Sequence, residues 1–109
     1  MAIARYKDLV IDATDVRVLA PFWGAALGLE VAYLDDGDAV LSGAVPEQTV
    51  WVNQVPEPRT VKQRVHIDVH AGSNAEIEAL GARPLTAPGE FAWTMMADPE
   101  GNEFCVFTS

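Results

Sequence analysis

The order of the elements that the sequence predicts is the feature that most constrains this fold. Strand and helix patterns follow one another as strand–helix–strand–strand–strand, and the same order then recurs within a chain of 109 residues. Each repeat has to bury the apolar side of its own strands. The sequence therefore predicts an α+β fold of two βαβββ modules, which make up a single domain at 1–109.

Module 1 is expected at about 1–55, a linker at about 56–63 and module 2 at about 64–109. Each module opens with a strand, at 5–13 and at 64–70. The other strands are predicted at 29–35, 39–45, 48–55, 83–86, 91–97 and 103–108.

Both helices have recognisable terminal signals. Thr14 or Asp15 suits the N-cap of the first helix and Gly28 its C-terminal end, while Ser73 suits the N-cap of the second. Pro21 lies within the first helical pattern, where it is expected to kink the helix or delay its start.

Charge and composition exclude several classes of protein. A net charge of -9 argues against binding to nucleic acid through phosphate contacts. No apolar run approaches the roughly 18 residues of a membrane span, and charged residues interrupt the N-terminus, so neither a membrane anchor nor a signal peptide is predicted. One cysteine excludes an internal disulfide and favours a reducing cytoplasm.

The basic segment "PRTVKQR" extends from the predicted linker to the first residue of module 2 and contains Arg59, Lys62 and Arg64. It could form an anion-binding edge. A solvated linker that offsets the surrounding acidity is the interpretation that we favour.

The strand "RVHIDVH" (64–70) has one polar and one apolar face. His66, Asp68 and His70 share the polar face, while the apolar face is expected to pack on the helices. Burying an ionised group without a partner costs free energy. This polar face is therefore solvated, paired internally (His66 with Asp8 or Asp68), or covered by a bound ligand. A structural His–Asp pair and an acid–base site for a small molecule both remain open.

Aromatic residues are the other candidates for a binding wall. Trp51 and Asn53 alternate onto one face of their strand, as do Trp93 and Met95 on theirs. A tryptophan can stack on a flat ligand or fill a core, and both interpretations apply to Trp51 and Trp93.

Three stretches, "FWGAALGLEV", "RVHIDVH…EALGA" and "ADPEGNEFCVF", give the chain a resemblance to the vicinal oxygen chelate superfamily. That superfamily includes glyoxalase I, bleomycin- and fosfomycin-resistance proteins and extradiol dioxygenases, and the chain looks most like its short glyoxalase-like branch. The resemblance implies a curved mixed sheet around a cup-shaped cavity, a small organic ligand and a homodimer.

The resemblance also implies where metal ligands would lie. The family's histidine, seven residues before the second helix cap, matches His66, and the same count in module 1 gives Asp8. The family pattern Asp-Pro-x-Gly-Asn-x-x-Glu places its last ligand on Cys105, since Glu103 comes two residues early. Asp8, His66 and Cys105 would thus be the set for Zn²⁺ or another divalent metal, although Cys105 also suits a buried apolar position.

Our first hypothesis is a small-molecule-binding protein that needs no cofactor, without the usual divalent metal. The predicted ligand contacts are Asp8, Trp51, Asn53, His66, Asp68, Trp93, Glu103 and Cys105. The alternative is a metal-dependent lyase, isomerase or dioxygenase with an altered Asp/His/Cys ligand set and His66, Glu103 and His70 as catalytic residues. A fold used only for assembly is a third interpretation.

Overall fold

A computed structural model of the chain describes residues 2–108, and it confirms the predicted α+β fold with two βαβββ modules. The first module contains β1 (Leu9–Ala13), α1 (Val16–Leu27), β2 (Glu30–Tyr33), β3 (Ala39–Ser42) and β4 (Val50–Gln54). The second contains β5 (Ile67–His70), α2 (Asn74–Ala79), β6 (Arg83–Pro84), β7 (Thr94–Ala97) and β8 (Glu103–Phe107). The chain divides into compact units at residues 1–57 and 58–109, which are called module 1 and module 2 from here on.

Each module forms a four-stranded mixed sheet with the same strand order. In module 1 the order is β1-β4-β3-β2, and in module 2 it is β5-β8-β7-β6. The first and last strands of each module pair in parallel, and the other pairs are antiparallel. A parallel pair needs a long connection, which in both modules contains the helix and the two intervening strands.

The apolar side of each sheet is buried. In module 1, α1 contacts β2, β3 and β4, and it buries Leu19 and Trp23 together with Leu41 and Val52 of the sheet. In module 2, the buried apolar side chains include Ile77 of α2, Met96 of β7, and Phe104 and Val106 of β8. The alternating residues of these strands are left on the opposite, polar face of each sheet.

The predicted helix ends are confirmed. Asp15 is the N-cap of α1, and its carboxylate accepts a hydrogen bond from the Arg17 N–H at 3.1 Å. Gly28 ends α1 in the left-handed conformation at φ 69°, which a residue with a Cβ adopts at a cost. Ser73 caps α2 by accepting from the Glu76 N–H at 3.3 Å.

Pro21 does not delay α1, which begins at Val16 and contains the proline within its length. The proline is exposed, so water can solvate the carbonyl that its missing N–H leaves without a helical partner. Its neighbours Phe22 and Trp23 are buried, and their packing holds the helix in place.

The opening strands of both modules begin later than predicted. β1 begins at Leu9, which pairs with Val50, and β5 begins at Ile67, which pairs with Phe104. The described residues before these points have no ladder partner along β4 or β8. Asp8 and His66 therefore precede their strands by one residue each, instead of lying within them.

Residues 55–66 contain no helix or strand. Within residues 2–108, neither helix has the length and apolar character that crossing a membrane requires.

The core of module 1 is tested by truncating one buried leucine. Leu41 is fully buried, whereas Leu34 is 40% exposed. We expect Leu41→Ala to lower the free energy of unfolding by about 2–5 kcal/mol, because it removes buried methyl groups and leaves a cavity. The matched Leu34→Ala change should cost about 1 kcal/mol or less. Urea denaturation measures both, and equal losses would contradict the assigned burial.

Candidate functional site

The polar face of module 2 brings together three side chains that can bind a metal or a ligand. His66, Asp68 and Cys105 each offer one atom, and these atoms all lie within 4.8 Å of one another. Strand register explains the closeness, because Asp68 of β5 pairs directly with Cys105 of β8. The His66 Nε2 atom lies 3.2 Å from the Asp68 Oδ1 atom. These three residues are called the His–Asp–Cys cluster.

The cluster has a buried end and an open end. Cys105 is 4% exposed, while the His66 and Asp68 side chains are 46% and 58% exposed. Burial raises the pKa of the Cys105 thiol, and the charge of Asp68 together with a hydrogen bond to its carboxylate raises it further. Cys105 is consequently a neutral thiol at neutral pH, which is a weak nucleophile.

Glu103 lies at the start of β8 and is paired with a cation. Its carboxylate contacts the Lys62 ammonium, and this hydrogen bond, helped by the charges of Lys62, Arg59 and His66, lowers the pKa of Glu103 against the opposing effect of burial. Glu103 is therefore an ionised group with a partner, and the His–Asp–Cys cluster does not include it.

The segment predicted as a solvated linker is attached to the start of β8. The Gln63 amide group donates to the Glu103 carbonyl at 2.6 Å and accepts from the Glu103 N–H at 2.7 Å. The Arg59 Nε–H donates to the Gly101 carbonyl at 2.9 Å. Lys62 remains 62% exposed at its side chain, so the segment is solvated and anchored at the same time.

The turn before β8 depends on Asp98. This residue is 1% exposed, and its carboxylate accepts hydrogen bonds from the N–H groups of Glu100 at 2.9 Å and of Asn102 at 3.0 Å. Gly101 has a φ of 88°, which favours glycine. The "DPEGN" motif thus has a structural role: it sets where β8 begins and which face Glu103 and Cys105 occupy.

An aromatic row extends over module 2 next to the cluster. The rings of Phe91 and Trp93 stack at 5.4 Å and 13°, Trp93 lies 6.0 Å from Phe107, and Phe107 lies 6.3 Å from His70. Phe91 and Trp93 are 50% and 39% exposed, so Trp93 is not a core residue. Phe91 and Phe107 were not among the predicted ligand residues, although Phe107 follows Cys105 by two positions and so shares its face.

In module 1, two of the predicted ligand residues, Asp8 and Trp51, have side-chain partners. The Trp51 indole N–H donates to the Asp8 carboxylate at 3.2 Å, and the Lys7 ammonium lies 2.6 Å from the same carboxylate. Asn53 is half-buried and pairs with Asp12 in the β1–β4 ladder. The ligand-binding role of Asp8, Trp51 and Asn53 stays a prediction.

The predicted metal ligands are distributed over both modules. His66 and Cys105 meet in module 2, where Asp68 joins them, whereas Asp8 belongs to module 1. Imidazole, carboxylate and thiolate together suit Zn²⁺. They do not suit Mn²⁺, which prefers oxygen ligands, because the last-strand position holds a buried thiol where the family pattern has a carboxylate.

A pair of βαβββ modules with candidate ligands at the start of β5 and on β8 defines a protein of the vicinal oxygen chelate type. The chain belongs to the family described as the glyoxalase-like domain, whose profile matches residues 8–107. No curated protein matches the sequence.

Solved structures share the fold. The fosfomycin resistance protein FosX from Mesorhizobium loti is 15% identical, with a TM-score of 0.73 over 99% of this chain and 94% of that one. A FosX mutant from Listeria monocytogenes, solved with Mn(II) and 1S,2S-dihydroxypropylphosphonic acid, is 14% identical, with a TM-score of 0.72 over 99% and 92%. A glyoxalase/bleomycin resistance protein from Albidiferax ferrireducens T118 is 20% identical, with a TM-score of 0.64 over 93% and 95%. At these identities the likeness concerns the fold alone.

The Lys62–Glu103 pair is tested through the pKa of Glu103. We expect Lys62→Met to raise that pKa toward the ordinary glutamate value, because the largest stabilising contact of the ionised form is removed. The pKa of Glu103 is lower in the folded protein than in the unfolded chain. The Lys62–Glu103 pair therefore stabilises the fold at pH values above the unfolded-state pKa of Glu103, and this stabilisation is lost as the pH falls through the folded-state pKa.

Carboxyl-carbon NMR titration measures the shift. Lys7→Met removes the same charge in module 1, where Lys7 pairs with Asp8, and serves as the control. An unchanged Glu103 titration in Lys62→Met would show that the contact does not persist in solution.

Proposed function

We propose that this protein binds a small organic molecule on the polar face of module 2 and needs no hard divalent ion such as Mn²⁺ to do so. The observation that carries the proposal is the exposed aromatic row beside the His–Asp–Cys cluster. Large exposed rings next to a few convergent polar groups are typical of ligand-binding surfaces.

The two parts of this face suggest the chemistry of the ligand. The stacked pair Phe91 and Trp93 offers a flat apolar surface to a planar group. Asp68 offers an exposed carboxylate, and the chain carries a net charge of -9, so a cationic or donor-rich group is favoured over an anionic one. His66 supplies a further hydrogen-bonding group at the open end of the cluster.

The family supports a small-molecule role without naming the ligand. The structures that share the fold include fosfomycin resistance proteins and a glyoxalase/bleomycin resistance protein. We also propose that Asp8, Trp51 and Asn53 contribute ligand contacts on the face of module 1 that they share. We also propose a homodimer, because β2 and β6 are edge strands of their sheets, and a cytoplasmic location, because Cys105 is a free thiol.

A metal-dependent lyase, isomerase or dioxygenase is the second candidate. The observation that favours it is the meeting of His66 with Cys105, two members of the predicted ligand set that includes Asp8. In such an enzyme the metal would polarise vicinal oxygens of a substrate, and His70 or Glu103 would move a proton. Glu103 is ionised and could accept a proton once Lys62 is displaced.

A planar cationic dye of the phenanthridinium type tests the binding proposal by fluorescence titration. We expect saturable binding of similar affinity with and without EDTA, and a loss of about tenfold in Trp93→Leu, since base-type stacking on an aromatic side chain is worth about 1–3 kcal/mol. Tyr33→Leu is the matched control, because that exposed ring is already covered by Arg17 at 3.8 Å. Loss of dye binding in the presence of EDTA would refute the metal-independent proposal. Analytical ultracentrifugation of the same samples measures the oligomeric state and so tests the homodimer.

Elemental analysis of untagged protein tests the second candidate. Stoichiometric metal that disappears in His66→Ala, together with turnover of a vicinal-oxygen substrate, would support an enzyme. Protein that stays free of metal after supplementation would rule it out.

A further inference from the structure

We propose that Lys62 is a built-in competitor for cationic ligands of module 2, which occupies the Glu103 carboxylate until the ammonium group of a ligand takes its place. The inference rests on the proposed function, since it concerns the same face and the same class of ligand. It adds Glu103 to Asp68 as a second cation-binding position. It also defines the ligand as a planar group that carries an ammonium on a flexible tail.

The Glu103 carboxylate and the aromatic row lie at opposite ends of one face of β8. Glu103, Cys105 and Phe107 share this face, and the Phe107 ring lies 6.0 Å from the Trp93 ring. With about 3.3 Å of rise per residue, the distance along the strand from Phe107 to Glu103 is about 13 Å. Asp68, the ladder partner of Cys105, lies between the two ends. A planar group on Trp93 can therefore extend a cationic tail past Asp68 to Glu103.

The Glu103 position favours a cation over other groups. Its carboxylate contacts the Lys62 ammonium, and the Glu103 side chain is only 18% exposed. Leaving a largely buried carboxylate without a partner costs free energy, whereas the exchange of one ammonium for another keeps it paired. A neutral or anionic ligand group would have to meet that cost, so this position favours an ammonium.

Lys62 can leave Glu103 without releasing the segment that carries it. The Lys62 side chain is 62% exposed, so the displaced ammonium returns to water. The neighbouring Gln63 donates to the Glu103 carbonyl at 2.6 Å and accepts from the Glu103 N–H at 2.7 Å, and Arg59 donates to the Gly101 carbonyl at 2.9 Å. These contacts involve the backbone of β8 and of the turn before it. They persist when the Glu103 side chain changes its partner.

The anchored segment keeps the Lys62 ammonium close to Glu103. Gln63 is the one residue at 56–66 that is not exposed, and it directly follows Lys62. A group tethered in this way acts at an effective concentration on the order of millimolar, so a dilute simple cation does not displace it. A ligand that is already bound on the aromatic row brings its own tethered ammonium, which competes at a similar effective concentration. The competition therefore selects ligands that have both parts.

Two phenanthridinium dyes with tails of equal length test the competition by fluorescence titration. One tail spans about 13 Å and ends in an ammonium group, and the other ends in a hydroxyl group. We expect Lys62→Met to tighten binding of the ammonium-tailed dye about two- to fivefold, which is the equilibrium effect of a typical exposed ion pair. Binding of the hydroxyl-tailed dye should not change, because its tail does not compete for the carboxylate.

Two further variants separate release of Glu103 from the loss of a charge. Arg64→Met is the matched control, because Arg64 is an exposed cation two residues from Lys62 and its loss changes the net charge by the same amount. We expect Arg64→Met to affect both dyes equally. The double variant Lys62→Met with Glu103→Gln should lose the tighter binding of the ammonium-tailed dye, because the carboxylate that the tail occupies is gone.

The outcomes distinguish this inference from the proposed function. An unchanged affinity of the ammonium-tailed dye in Lys62→Met, or an equal gain for both dyes, would overturn the inference alone. The same selective gain in Arg64→Met would also overturn it, since net charge would then explain the result. Failure of both dyes to bind the unmodified chain and every variant would instead refute the proposed function, and the inference with it.

Discussion

The parallel pairing of the first and last strands is the constraint on which each module depends. β5 and β8 are separated by a helix and two strands along the chain, yet they are neighbours in the sheet, as β1 and β4 are in module 1. This pairing buries Phe104 and Val106 on the helix side and leaves Asp68 and Cys105 together on the other. The candidate site is thus a direct consequence of how the module closes.

The chemistry of the site differs from what the family pattern implies because one position has changed its donor atom. Cys105 occupies the ligand position of the last strand, and burial keeps its thiol neutral. Glu103, the nearby carboxylate, is held by Lys62 and by the Gln63 contacts to its backbone. The polar face of module 2 consequently carries a neutral thiol where the family pattern has a carboxylate.

Local signals in the sequence predicted the fold well. Asp15, Gly28 and Ser73 were recognised because caps act within a few residues of the helix ends that they stabilise. The strand starts were less accurate, because pairing with β4 and β8 decides where β1 and β5 begin. Pro21 was expected to kink α1 or delay its start, and α1 begins at Val16 without the delay.

The sequence by itself determined the module repeat, the helix caps, and the polar and apolar faces of the strands, because each follows from residues near one another in the chain. Only the tertiary structure decided which side chains meet. Asp68 beside Cys105, Gln63 on Glu103 and Phe107 against Trp93 are contacts between segments far apart in sequence. The periodicity of a strand predicts which face of the sheet a side chain occupies. The register between strands that are distant in sequence determines which side chains lie next to it, and those neighbours determine its chemical role.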